Sequence, residues 1–401
     1  MDVPAEFTPE AVAAASGPGS HRPFAPFLDG GEPYASMLQA NPWMRRPRSA
    51  EELVWGEGRY YDTTVARKHE YWSAVDLPRP TKDLHRMRLD FDQWGYCLIE
   101  DGLAPDRCQA IRARVVEQAA AERALGLDFT APFLQLVWAL VNKGDCFVGC
   151  LEHDPATVQA GPVIEQLLEE ILGRNWYAYS FVANISAPGG LPQGLHQDQT
   201  AVHPFQTRAV PILVNTMYIL EDVDEVNGGT LVIPGSHRIM AAAGSAGEVG
   251  ALPRPINLEA PAGTVALLDG RLLHGAAINH SADRRYVLTQ SNVKPWLRQQ
   301  ENFMLSVRPE VLASASPKLR QRLGFQATGA YGVTEGHGWA GDGTIDDAPG
   351  DLSPIRRAVD DGCYRRMGEL TVDEAASTPP EAFTLHDTLG RAGARRAGPR
   401  V

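Results

Sequence analysis

From about residue 176 the chain breaks into short runs of β-formers separated by tight turns. The clearest are WYAYSFVANIS, PILVNTMYIL, GGTLVIPGS, GTVALLDG and RYVLTQSNV. β-Branched and aromatic residues dominate them, and Pro-Gly-Gly, Asn-Gly-Gly, Pro-Gly and Ala-Gly separate them. Such residues suit a pleated, half-buried surface, while Gly and Pro supply backbone angles that a strand cannot continue through. Many short strands with irregular turns predict a mainly β fold with flanking helices (α+β), its core a double-sheet jelly roll.

The flanks read differently. Tyr96–Ile99 predicts a short strand, followed by a helix that starts at Pro105 and carries Ile111, Val115 and Val116 at helical spacing. PVIEQLLEEILG predicts a second helix, with Val163, Ile164, Leu167, Leu168 and Ile171 on one apolar face and Gly173 ending it. Residues 1–80 are rich in Pro, Gly, Ala and charge, and read as a partly ordered N-terminal arm. The regular region spans 81–310. Residues 311–401 form a C-terminal extension with a Gly-rich stretch, a possible lid, and a disordered basic tail ending in RAGARRAGPRV.

Composition narrows the function classes. A formal net charge of -12 argues against nucleic acid or an anionic membrane as partner. No run approaches the length of a transmembrane helix, and MDVPAEFTPE lacks the apolar region of a signal peptide. The five cysteines form no zinc-site spacing and read as reduced thiols, which fits a cytoplasmic protein.

The chemistry concentrates in GLHQDQ. Side chains at i and i+2 of an extended segment share a face, so His196 and Asp198 can meet one ion. A third ligand must come from elsewhere, and LLDGRLLHGAAI offers His274 at the end of a strand-like run. Two His and one carboxylate leave three octahedral positions open. That suits an Fe(II) oxygenase, where a bidentate co-substrate and O2 both bind. A structural zinc site is usually closed by four protein ligands instead. After His274, the turn-like NHSAD leads to Arg284 and Arg285. A guanidinium there could hold the far carboxylate of a dicarboxylate co-substrate, and strand alternation turns only one of the two inward. Taken singly, each residue has an ordinary structural reading: Asp198 as a turn cap, His274 as a core histidine, Arg285 as a solvated charge. His237, in PGSH, reads as tying down its own turn, and Asn227-Gly-Gly as a turn needing positive φ.

HQD, NGGTLVIPGSH, the later LLHG and an arginine eleven residues after that histidine occur in this order. In this the chain resembles the phytanoyl-CoA dioxygenase family of Fe(II)/2-oxoglutarate-dependent oxygenases. GYCLIEDGLAPDRCQAIRARV resembles the family's N-terminal strand and helix, and the likeness covers roughly residues 88 to 300. The resemblance implies a double-stranded β-helix with His196, Asp198 and His274 on iron. It implies Arg285, rather than Arg284, on the C5 carboxylate of 2-oxoglutarate, with Gln193 and Thr230 as further contacts to that co-substrate. Asp198 stands where related halogenases carry a small residue, so the resemblance favours hydroxylation, or another oxidation, with O2. A small-molecule substrate is implied, in the range of secondary metabolites and lipid-like compounds. Two other readings stay open: a non-catalytic binding protein on the same scaffold, and a cupin-like metalloenzyme that needs no oxo acid.

Overall fold

The computed structural model describes residues 72, 74–131, 134–188, 195–199, 210–238, 255–277, 279, 281–325 and 369–377. Most of the arm 1–80, the Gly-rich stretch and the basic tail lie outside these residues. The chain divides into two compact units. The first comprises Met1–Asp101, Ala131–Leu134 and Ile185–Val287; the second comprises Gly102–Thr130, Gln135–Asn184 and Leu288–Val401.

The first unit opens with helix α1 (Leu84–Trp94), which the β-rich reading did not anticipate. Its ends are specified locally. The Asp83 carboxylate accepts the His85 amide at 2.9 Å, and Gly95 closes the helix in the left-handed conformation at φ 81°. β1 (Tyr96–Ile99) follows as predicted. Its four residues are all buried because it pairs antiparallel with β8 (Val265–Asp269), matching Tyr96 to Leu268 and Ile99 to Val265. β8 also pairs antiparallel with β5 (Leu213–Ile219), so it lies between two neighbours. A second, three-stranded sheet places β6 (Thr230–Val232) between β7 (Ile256–Asn257) and β9 (His274–Ala276). Leu98, Met217, Val232, Ile256, Leu268, Leu272 and Val287 share one core cluster with Trp72 and Leu77. The turn Asn227-Gly-Gly behaves as its sequence implies. Gly228 has φ 77°, and a Cβ on Gly229 would lie 2.8 Å from the Leu258 carbonyl.

In the second unit α2 (Pro105–Leu125) starts at its proline and ends at Gly126, φ 64°. The short elements α3 (Asp145–Leu151) and α4 (Gly161–Leu172) follow, α4 ending at Gly173 as the sequence predicts. The buried face of α4 differs slightly from expectation. Ile164, Leu167, Leu168 and Leu172 are buried, whereas Val163 and Ile171 are only half-buried at its flank. β4 (Tyr177–Ser186) lies between β3 (Leu134–Val137) and β10 (Arg285–Val293), and β2 (Phe129–Ala131) lies outside β3. Three short helices, α5 (Phe303–Ser306), α6 (Pro309–Ser314) and α7 (Pro317–Arg322), continue the fold past residue 310. Ala375 of α8 (Val372–Ser377) and Leu370 just before it pack against Ala121 and Leu125 of α2, so part of the C-terminal extension is docked. The fold class is the α+β, sheet-based one expected. Among the described residues the antiparallel sheets are open rather than closed into a barrel.

Candidate metal centre

The HQDQ segment is held by its backbone and by the side chains that alternate with the candidate ligands. His196 and His274 form an isolated antiparallel bridge, each backbone N–H donating to the other's carbonyl, at 2.9 and 3.0 Å. Gln197 points the other way, and its amide donates to the Arg271 carbonyl. The Gln199 N–H donates to the Gly270 carbonyl at 2.8 Å, and its side-chain oxygen accepts the Ile212 N–H at 2.9 Å. Gln197 and Gln199 thus fasten the segment while His196 and Asp198 converge on the centre. The backbone is extended only at His196 and turns into a 3-10 conformation at Asp198 and Gln199, so a turn rather than the expected strand alternation brings the two together.

The turn that delivers His274 is fixed separately. The Arg271 guanidinium forks onto the buried Asp269 carboxylate, with Nε–Oδ1 at 2.9 Å and Nη2–Oδ2 at 2.6 Å. The Leu273 N–H donates to the Ser236 hydroxyl at 2.8 Å. The sequence reading has His274 ending a strand-like run. Instead this turn interrupts the run, and His274 opens a strand of its own. His237 also differs from expectation. Its Nε2–H donates to the Asp92 carbonyl of α1 at 3.0 Å rather than closing its own turn.

The three candidate ligands converge. Their donor atoms lie within 4.8 Å of one another, and among the described residues no fourth His, Cys, Asp or Glu joins them. His196 Nε2 is 3.2 Å from Asp198 Oδ1, and His274 Nε2 is 3.3 Å from Asp198 Oδ2. The imidazoles are 4.5 Å apart, centroid to centroid. His274 Nδ1 is 3.0 Å from the Leu272 carbonyl. A carbonyl can only accept, so Nδ1 carries a proton and Nε2 is the nitrogen that faces the centre. Burial opposes the Asp198 charge, but the adjacent His274 and His196 rings outweigh it and hold the carboxyl well below the usual range. The carboxyl is therefore an ionised donor at neutral pH.

One residue here was not anticipated. Asn215 of β5 donates from Nδ2 to Asp198 Oδ2 at 2.5 Å. Its signal was a polar residue inside the apolar run PILVNTMYIL.

The other predicted residues are distributed as follows. Antiparallel pairing matches Val232 to His274 and Thr230 to Ala276, which puts Thr230 on the face of the small sheet that bears both histidines. Thr230 is buried. Arg285 opens β10 and is only 3% exposed, whereas Arg284 is half-exposed, so the alternation turns Arg285 inward. Its Nη2 donates to the Ser186 hydroxyl at 3.0 Å, while its buried Nε has no hydrogen-bond partner among the described residues. Burial lowers its pKa to about 10, partly offset by Glu221. A buried cation with an unmet donor has the character of an anion site. Gln193 lies outside the described residues.

Two open antiparallel sheets and a His-x-Asp…His cluster that no fourth His, Cys, Asp or Glu joins among the described residues define a class: proteins whose donor set suits one metal ion with positions left for outside ligands. Residues 91–287 match the family model described as Phytanoyl-CoA dioxygenase (PhyH). Among curated relatives, Dioxygenase af480 of Aspergillus fumigatus is 29% identical over 204 residues, covering 47% of this chain and 65% of the relative. L-Proline trans-4-hydroxylase of Streptomyces griseoviridis is 29% identical over 174 residues, covering 35% of this chain and 63% of the relative. The chain thus spans somewhat under two thirds of the length of each. Among solved structures, the epimerase SnoN in complex with Fe3+, alpha ketoglutarate and nogalamycin RO aligns with a TM-score of 0.41 and 17% identity, covering 54% of this chain and 86% of SnoN.

Proposed function

We propose that this protein is an Fe(II)/2-oxoglutarate-dependent dioxygenase that oxidises a small molecule, most simply by hydroxylation. The observation that carries the reading is the open triad: two imidazole nitrogens and one ionised carboxylate within 4.8 Å, with no fourth protein ligand among the described residues. His196, Asp198 and His274 would hold the metal. When bound, Fe(II) with 2-oxoglutarate and O2 supplies oxidative decarboxylation to succinate and CO2, coupled to oxidation of a substrate C–H bond.

The chain's own residues bind and orient. The Leu272 carbonyl fixes a proton on His274 Nδ1, so Nε2 is the nitrogen that would ligate the metal. Asp198 brings one negative charge to offset part of the metal's two positive ones. Arg285 offers an unmet donor in a dry site, which suits the distal carboxylate of 2-oxoglutarate. Thr230, on the histidine-bearing face, and Gln193 are further candidates for contacting it. The family's range of small-molecule dioxygenases favours a secondary metabolite or lipid-like compound as substrate.

The test is succinate formation from 2-oxoglutarate with Fe(II) under air, beside the Asp198→Ala variant. Wild type is expected to form succinate and to develop a metal-to-keto-acid absorption band anaerobically, and the variant to do neither. Absence of both signals in wild type would overturn the reading.

A further inference from the structure

We propose that Asn215 is a positioning residue that restricts Asp198 to ligation through a single oxygen and so keeps the metal's open positions open. The inference rests on the metal-site reading above and deepens it. Each Asp198 oxygen has an imidazole nitrogen close by, His196 Nε2 at 3.2 Å from Oδ1 and His274 Nε2 at 3.3 Å from Oδ2. The histidines alone therefore leave the two oxygens nearly equivalent, and a metal among the three side chains could take one or both. Asn215 breaks that symmetry, because its amide donates to Oδ2 at 2.5 Å. An oxygen committed to a short hydrogen bond is a poorer metal donor, which leaves Oδ1 as the ligating atom. A two-oxygen carboxylate would fill a fourth octahedral position, and the two remaining could not take both a chelating co-substrate and O2.

Asn215 is itself well placed to act this way. It is 1% exposed on β5, and β8 fixes its register opposite Leu268. β8 runs directly into the Asp269–Arg271 turn that delivers His274, so the strand that fixes the amide's register also leads into the second imidazole. The amide is uncharged and holds its donor at every working pH, unlike a histidine or lysine in its place.

The experiment uses the full chain, with Co(II) as a probe whose absorption reports both affinity and coordination number. Asn215→Leu and Asn215→Thr are compared with wild type in anaerobic Co(II) titrations, with and without 2-oxoglutarate. Loss of an outer partner of a metal ligand is expected to weaken Co(II) binding about 10–100-fold. It is also expected to raise the 2-oxoglutarate concentration needed to shift the Co(II) bands, while metal-free thermal unfolding stays near wild type. A merely structural role would lower the unfolding temperature and leave the bands of the loaded protein unchanged. A folded variant with wild-type Co(II) affinity and wild-type 2-oxoglutarate response overturns the proposal. Should neither variant fold, a metal-loaded wild-type crystal decides it: one Asp198 oxygen within bonding distance supports the inference, and two overturn it. If wild type takes up no Co(II), the metal-site reading itself fails, which is distinct from failure of the Asn215 role.

Discussion

His196 and His274, 78 positions apart, exchange a pair of backbone hydrogen bonds at 2.9 and 3.0 Å, and that single bridge brings their rings to 4.5 Å, centroid to centroid, tilted by 44°. The bridge uses only main-chain groups. It therefore survives replacement of either side chain, which separates ligation from folding. His274→Ala is expected to keep the far-ultraviolet circular dichroism of wild type and to lose Fe(II) affinity by more than the roughly 10–100-fold typical of outer-partner losses. A titration with Fe(II) under anaerobic conditions reads this directly. Unchanged affinity in a folded variant would count against His274 as a ligand.

Arg285 and Arg284 make a contrasting pair. Arg285→Leu removes a buried guanidinium and is expected to raise the KM for 2-oxoglutarate by the equivalent of about 2–5 kcal/mol, which is roughly 30-fold to several thousand-fold. Arg284→Leu, at the half-exposed neighbour, is expected to leave that KM unchanged. Arg285→Lys should restore little, since an ammonium lacks the planar fork. The measurement is succinate formation against 2-oxoglutarate concentration for all three variants. Equal effects at 284 and 285 would refute the assignment.

Glu301 predicts a pH effect on stability in the second unit. Its Oε1 accepts the Ala139 N–H at 3.0 Å and its Oε2 the Phe181 N–H at 2.8 Å. Burial pushes its pKa up to about 7, against 4.5 for an ordinary glutamate, despite those bonds and nearby Lys143. Below about 4.5 both folded and unfolded chains hold the proton, so the group adds no pH dependence. Between about 4.5 and 7 the folded chain keeps a proton the unfolded chain has released, so stability falls as pH rises. Above about 7 the loss is complete. Urea unfolding at pH 5 and pH 7.5 should show a steeper decline for wild type than for Glu301→Gln. Parallel declines would exclude Glu301 as the source.

Lys143 and Glu122 form an ion pair at 2.6 Å with both side chains only 6% exposed. Gln118 also donates to the same carboxylate oxygen at 3.0 Å. Lys143→Met should cost about 3–5 kcal/mol, because it strands a buried carboxylate. Adding Glu122→Gln should recover most of that loss, since no uncompensated charge then remains. Denaturant unfolding of the two variants checks it, and a double variant no more stable than Lys143→Met would argue against the charge explanation.

Several elements were legible because their causes are local. Pro105 and Gly173 mark helix ends whatever the chain packs against, and Gly228 meets a turn that needs positive φ. α1 shows the limit of that legibility. Asp83 and Gly95 stand at its ends and Leu84, Met87, Phe91 and Trp94 recur at helical spacing between them, but the segment is short and mostly polar, so it does not stand out from its charged surroundings. β7, two residues long, has no pattern of its own and exists because β6 pairs with it. His237 was read as a local tie because nothing in PGSH shows that the helix carbonyl of Asp92 is within reach.

Local sequence was enough for the β-rich class and the positions of the principal strands. Arg285 rather than Arg284 turns inward because extended backbone has a period of two, whereas His196 and Asp198 converge through the turn that begins at Asp198. Tertiary structure decided which distant groups complete the site. The pairing of His196 with His274, the proton held on His274 by Leu272, and the amide that Asn215 brings to Asp198 all depend on strand register. Register is set by burial summed over whole sheets, and no short window of sequence contains that sum.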